Sequence, residues 1–200
     1  QLKAAEIDGE LSVKPTQLGL DIDEDLCFGH LRHLAAAAEA HGSYLWIDME
    51  STKYVDPTIA LFRRARDRSP RVGLCLQSYL RRSMADLEAL LPLGPAIRLV
   101  KGAYREPANL VFAGKADVDE NYFKVAARLL QNDAHRPGAL LHIATHDLSL
   151  QARLQKVIAD RKISQDRYEF AMLFGIQTAR QQELGRQKIR TRCLISYGEY

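Results

Sequence analysis

Cysteine is scarce in this 200-residue chain: Cys27, Cys75 and Cys193 are far apart, odd in number and without a CxxC pair. That argues against a disulfide framework or a cysteine zinc site and suits a reducing compartment. Cys75, inside Val72-Gly73-Leu74-Cys75-Leu76, reads as a small buried hydrophobe. Charge of one sign is also lacking. Twenty-eight Lys and Arg stand against 25 Asp and Glu, a net +3, so no nucleic-acid partner is expected. No apolar run reaches the roughly 18–20 residues of a membrane-spanning helix, and residues 1–10 lack a signal-peptide stretch, so a cytoplasmic location is expected. Linkers, low-complexity segments and shifts of composition are missing too, which makes residues 1–200 one expected domain. With 46% apolar and 26% charged residues the chain can bury a sizeable core and is not a disordered sequence.

What is present is an alternation of short apolar runs with longer amphipathic segments. The runs cover 11–13, 44–47, 72–76, 97–100, 140–144, 168–173 and 189–195, the last interrupted by Arg190 and Arg192. Most are continuous rather than alternating, as for strands of a parallel sheet covered on both faces. Helices are expected over 23–41, closed by Gly42; from an Asp56 cap with Pro57 behind it to the stop at Pro70; from the weak capping box Ser83-Met84-Ala85-Asp86; over 119–130 and 148–161; and from 178 to an end at Gly185. The basic stretch from Arg63 to Arg68 reads as a solvated helix face. A GxGxxG after an early strand would favour a Rossmann-type sheet, and none occurs. A complete (βα)8 barrel takes about 250 residues. The expected architecture is therefore an α/β, (βα)8 TIM-type barrel truncated to about seven strands, a fragment incomplete at both ends.

Polar residues follow almost every run: Lys14, Asp48-Met49-Glu50, Gln77, Lys101, Thr145-His146-Asp147 and Tyr197-Gly198. In a parallel barrel these share the C-terminal rim, where barrel enzymes place their chemistry. Singly, each has a bland reading. Asp48 and Glu50 could cap or pair, His146 could be a hydrogen-bonded loop histidine with no second histidine to complete a metal set, and Tyr197 could be a rim aromatic. Six successive polar strand ends together point to a site. Arg98, two residues before the end of its apolar strand, calls for a ligand or a buried partner. Lys101-Gly102-Ala103 leaves room for a phosphate to approach the backbone.

Six ordered blocks then resemble the proline dehydrogenase family: Ser12-Val13-Lys14, Trp46-Ile47-Asp48-Met49-Glu50, Leu76-Gln77-Ser78-Tyr79, Arg98-Leu99-Val100-Lys101-Gly102-Ala103-Tyr104, Ala144-Thr145-His146-Asp147 and Glu169-Phe170-Ala171-Met172-Leu173-Phe174-Gly175. The resemblance implies a (βα)8 barrel that holds FAD on its C-terminal rim and oxidises L-proline to 1-pyrroline-5-carboxylate. It implies that Lys14 contacts the substrate carboxylate, Asp48 is a catalytic-site carboxylate, Met49 lies against the flavin and Gln77 bonds its pyrimidine edge. Arg98 resembles the arginine beside flavin N5 and O4, whose positive charge would stabilise the reduced flavin. Lys101, Gly102, Ala103, Thr145 and His146 resemble the groups that hold the ribityl-pyrophosphate-adenosine part, and Leu173 resembles an apolar wall over the proline ring. No residue stands out as a dedicated base.

Two departures from the family pattern matter. The family's first strand and its closing helix with an Arg-Arg pair have no counterpart in this sequence, which leaves two sheet edges to be covered by further chain or another subunit. Leu194 stands where the family usually has a substrate-facing tyrosine, and family members with a smaller residue there are associated with hydroxyproline, so a proline analogue is the second substrate reading. The resemblance further suggests a quinone acceptor reached by peripheral association with the inner membrane. Two other readings stay open. One is a Schiff-base aldolase-type barrel with Lys101 as nucleophile and Asp48 or Glu50 as proton carrier. The other is an inactive fragment that works only within a longer polypeptide.

Overall fold

In the computed structural model, which describes residues 8–196, parallel strands alternate with helices throughout those residues. The order is β1 (Leu11–Val13), α1 (Glu24–Ala40), β2 (Leu45–Ile47), α2 (Val55–Arg66), β3 (Val72–Gln77), α3 (Ser83–Leu90), β4 (Ala96–Val100), α4 (Lys115–Leu129), β5 (Leu140–Ala144), α5 (Leu148–Asp160), β6 (Tyr168–Leu173), α6 (Thr178–Arg186) and β7 (Thr191–Leu194). The seven strands pair in sequence order, each pair parallel. A flat sheet would hold β1 and β4 roughly 14 Å apart, at three spacings of about 4.8 Å. Instead Arg98 of β4 bonds Ser12 of β1 at 2.8 Å, and the rings of Trp46 on β2 and His142 on β5 lie 4.2 Å apart. The sheet is therefore curled into the expected seven-stranded part of a barrel. Among the described residues β1 and β7 each have one strand neighbour.

Strand periodicity divides the side chains between two environments. Ile47, Leu74, Leu76, Ile97, Leu99, Ile143, Phe170 and Met172 face outward and pack with Leu31, Leu61, Phe62, Leu87, Tyr122, Val125 and Leu154 of the helices, forming the main apolar core. Tyr122 joins this core without stranding its hydroxyl, which donates to the Leu99 carbonyl at 2.9 Å. The alternate residues turn into the barrel, and there polar or small side chains such as Ser12, Gly73, Arg98 and His142 surround a small apolar cluster of Trp46, Ala96 and Leu140. Gly73 is needed because a Cβ at that position would sit 2.5 Å from the Trp46 ring.

Several helix ends differ from the sequence expectations. α1 agrees: Asp23 accepts from the Leu26 N–H at 2.7 Å, and Gly42 takes the left-handed turn at φ 70. α2, however, begins at Val55 behind a 3-10 turn, so Asp56 is no cap and pairs with Arg82 at 2.6 Å. Pro57 is tolerated as the third residue because first-turn N–H groups have no helical acceptor. Ser83 bonds back to Leu80 and Asp86 pairs with Arg82, so the capping box does not form. α4 starts at Lys115, four residues before Asp119. Gly185 lies inside α6, and the left-handed position after that helix falls on Lys188 at φ 59.

Candidate active site

The ends of β1, β2 and β4 bring Ser12, Lys14, Asp48 and Arg98 together. Arg98 is buried, and its guanidinium contacts the Asp48 carboxylate and donates to Ser12 Oγ at 2.8 Å. The Ser12 hydroxyl donates in turn to Asp48 Oδ1 at 2.9 Å, and Lys14 Nζ lies 3.7 Å from Asp48 Oδ2. Arg98 also stands over the Trp46 ring at 5.4 Å. Of the two explanations for an arginine in this strand, the buried partner is thus present. Two cations share one carboxylate here, leaving an excess positive charge. Glu50 does not join them: its carboxylate accepts from the Thr16 N–H at 3.0 Å and the Thr16 hydroxyl at 2.7 Å, fixing the turn after β1. Cys75 is Arg98's register partner on β3, and burial pushes its thiol up, so it is no thiolate nucleophile.

Gln77 closes β3 and is itself buried. Its amide nitrogen donates to the carbonyls of Met49 at 2.8 Å and Glu50 at 3.0 Å, pinning the loop after β2. Its Oε1 is buried without a partner among the described residues, an acceptor that calls for an N–H or O–H donor. Met49 is buried beside it.

A second group forms around Asp147, which caps α5 through the N–H groups of Ser149 at 3.1 Å and Leu150 at 3.2 Å. Lys101 lies between Asp147 at 2.7 Å and Asp119 at 2.5 Å, and Lys115 reaches both carboxylates. The hydrogen bond from Lys101 is the main cause holding the Asp147 carboxyl well below the usual range. Thr145 accepts from the Asp147 N–H at 3.2 Å. His146 Nε2 accepts from the Leu173 N–H at 2.9 Å, tying the loop after β5 to the end of β6. Gly102 has φ +118, and a Cβ there would fall 2.2 Å from the Tyr79 ring. The Tyr79 hydroxyl is pushed up to about 12, chiefly by burial. Ala103 is exposed beside Gly102. Leu173 and Leu194 are register partners and remain 42% and 41% exposed, with Phe174 and Ile195 continuing an open apolar wall. Tyr197 and Gly198 lie outside the described residues.

Sequence reasoning quoted Ser12 in a motif without giving it a role and missed the strap made by Glu106, whose carboxylate accepts from the Thr52 N–H at 2.8 Å and from its hydroxyl. It also missed Asp119 as a partner of Lys101. All three depend on contacts between loops or strands far apart in sequence, so no local pattern announces them. A cavity of about 440 Å³ opens at the opposite, N-terminal end of the strands, beside Glu10, Glu169 and Arg192, and not at this rim.

With this geometry in hand, the family model described as Proline dehydrogenase matches residues 2–200. The chain belongs to the proline dehydrogenase family. Among curated relatives, proline dehydrogenase 2 of Bacillus subtilis is 36% identical over 194 residues, covering 97% of this chain and 62% of the relative. The proline dehydrogenase of Deinococcus radiodurans is 36% identical over 200 residues, covering 98% and 63%. The chain thus spans less than two thirds of these family members. Among solved structures, proline utilization A of Bdellovibrio bacteriovorus, inactivated by N-propargylglycine, superposes with a TM-score of 0.83 at 24% identity, over 94% of this chain and 22% of that one. That likeness supports the barrel fold.

Proposed function

We propose that this protein oxidises L-proline to 1-pyrroline-5-carboxylate, with FAD held on the C-terminal rim and the electrons passed to a quinone. The observation that carries the reading is the Lys14–Asp48–Arg98 cluster around Ser12, where two cations share one carboxylate on the rim of a proline dehydrogenase-family barrel. An excess positive charge at that point suits an anionic amino acid and negative charge developing during oxidation. When bound, FAD supplies the hydride acceptor that no side chain offers.

The residues fit such a cofactor on one specific count. The partnerless Gln77 Oε1 is an acceptor, and the pyrimidine edge of a flavin carries an N–H donor. Met49 beside it would flank the ring system. Lys101, Gly102, Ala103, Thr145 and His146 are assigned the ribityl-pyrophosphate-adenosine part. Because Lys101 and Lys115 are matched there by Asp119 and Asp147, this group contributes orientation and hydrogen bonds more than net charge. Gly102 admits the close approach of the Tyr79 ring and would do the same for a ligand. Lys14 is assigned the substrate carboxylate, Arg98 the fixed positive charge, Asp48 the carboxylate that holds both cations in place, and Leu173 with Leu194 the wall over the substrate ring.

The Schiff-base alternative is disfavoured by the ion pairs of Lys101 to two carboxylates: an ammonium has no lone pair for attack on a carbonyl. No helix among the described residues is long and apolar enough to cross a membrane. By family resemblance, quinone access is assigned to peripheral association with the inner membrane of an enzyme working in the cytoplasm. Further chain or a second subunit would supply the rest of the barrel wall.

The test is the absorption spectrum of the full-length protein loaded with FAD, recorded anaerobically before and after L-proline. Bleaching of the flavin band is the expected result. Bleaching by hydroxyproline but not by proline would move the substrate to the analogue that Leu194 suggests. A protein that takes up no flavin would overturn the proposal.

A further inference from the structure

The interior of the barrel holds a second charged cluster, at the end opposite the rim. Glu10, just before β1, His142 of β5 and Glu169 of β6 each present a ligand-type atom, all within 4.8 Å of one another. His142 is 1% exposed and its Nε2 has no hydrogen-bond partner, although it lies 3.5 Å from Glu169 Oε2. Burial, then Arg192 and Arg98, pushes the imidazole well below its ordinary value. Nε2 thus points at a carboxylate oxygen with no hydrogen bond formed between them, and in the Nδ1–H tautomer it offers that space a lone pair.

We propose that Glu10, His142 and Glu169 form a binding site for a divalent transition cation of the Zn²⁺ class, which clamps β5 and β6 to the segment before β1. One imidazole nitrogen with two carboxylate oxygens is a donor set for such an ion, whereas Mg²⁺ and Ca²⁺ prefer oxygen alone. Zinc–nitrogen and zinc–oxygen bonds of about 2.0–2.2 Å in tetrahedral geometry set ligand atoms roughly 3.4 Å apart. The His142–Glu169 pair, at 3.5 Å, already has that separation. The neighbouring cavity is lined by Glu10, Glu169 and Arg192 and connects the carboxylates to solvent.

The surrounding charges bear on the affinity. Arg192 lies 3.3 Å from Glu10 Oε1 and 3.0 Å from Glu169 Oε2, Arg190 is 3.8 Å from Glu169, and Asp8 is 3.4 Å from Arg192. Trp46 Nε1 donates to Glu10 Oε2 at 2.7 Å. These five groups with Glu169 carry three negative and two positive charges, so the cluster keeps one negative charge in excess. Arg192 competes with the cation and is the reason affinity falls short of an uncontested site.

The test uses the full-length protein without added flavin, stripped with chelator. Zn²⁺ is followed by calorimetric titration and Co²⁺ by its visible absorption. One ion per chain is expected, with a rise in Tm on adding Zn²⁺. His142→Asn and Glu169→Gln should each weaken binding more than about tenfold, and Arg192→Met should tighten it. If either of the first two fails to fold, Glu10→Gln, at the margin of the cluster, replaces it with the same expectation. Absence of stoichiometric binding, or binding unchanged by the ligand substitutions because it belongs to surface histidines, would overturn the site. An Nε2–H tautomer of His142 that persists in excess Zn²⁺, seen by ¹⁵N NMR, would also overturn it.

Discussion

The two ends of the barrel interior are built from the same materials and carry opposite charge. At the rim, Arg98 and Lys14 converge on the single carboxylate of Asp48. At the floor, the carboxylates of Glu10 and Glu169 converge on the guanidinium of Arg192, with Arg190 beside Glu169 and Asp8 beside Arg192. Each has a buried arginine or carboxylate at its centre, Arg98 at the rim and Glu169 at the floor, and buried charge costs desolvation and stabilises a fold only when well paired. The difference is the residue left over. The rim is short of an anion and suits an anionic substrate and an electron-rich cofactor, whereas the floor is short of a cation. On the proposed function the rim imbalance would serve reaction and the floor imbalance structure, since the floor faces the gap between β1 and β7.

Substitutions that exchange the two arginines for an apolar side chain of similar length should separate these roles. Arg192→Met leaves two buried carboxylates without their shared partner, and a loss of about 3–5 kcal/mol in urea unfolding is expected, with substrate-driven reduction in the surviving folded fraction unchanged. Equal loss of turnover and stability would erase the distinction between the ends. Arg98→Met should do the reverse. Reduction by proline in single-turnover measurements should slow by about 10²–10³-fold, or about 2.7–4 kcal/mol, with an unchanged circular dichroism spectrum.

Gly102→Ala probes the rim backbone. The positive φ alone costs about 1–3 kcal/mol, and the added methyl meets the Tyr79 ring, so a lowered Tm and weaker flavin retention are expected. A variant that melts and binds like the parent would mean that the loop has room to spare. The smallest effect is in pH dependence, where the two ends should differ in sign. Burial raises the Glu10 carboxyl, against Arg192 and Trp46, so its penalty to the folded state is relieved as pH falls through that raised value. The Asp147 carboxyl is held low by Lys101. Its contribution is complete above the ordinary aspartate value of about 3.9 and disappears as pH falls further. The stability differences of Glu10→Gln and Asp147→Asn from the parent should therefore have opposite signs near neutrality, the first favouring the variant and the second the parent, and both should shrink on acidification; differences that stay constant with pH would contradict the assignment.

Much of the rim could be read from the chain because a parallel barrel converts strand order into spatial convergence. β1, β5 and β6 have the bounds that hydrophobic runs suggested, 11–13, 140–144 and 168–173. Lys14, Asp48 and Arg98 stand out in the sequence as polar residues at or near strand ends. The partners that balance them do not, for reasons that differ from residue to residue. Asp119 looked like a helix start and is an ion-pair partner of Lys101, since a carboxylate carries the same local signature in either role. Glu50 looked like a candidate for chemistry and instead holds Thr16. Glu10 and Arg192 lie at opposite ends of the sequence, and only the curl of the sheet brings them within reach.

Hydrophobic periodicity and the spacing of polar strand ends therefore determined the class of fold, the strand order and the rim residues, because those follow from local rules and from the chirality of βα units. The charge balance of each cluster, the unmatched Gln77 and His142 atoms, and the division of the interior into two sites were decided by tertiary structure. Electrostatics and hydrogen bonding act through space over a few ångströms, and which groups come that close depends on how the sheet closes rather than on any segment of the chain.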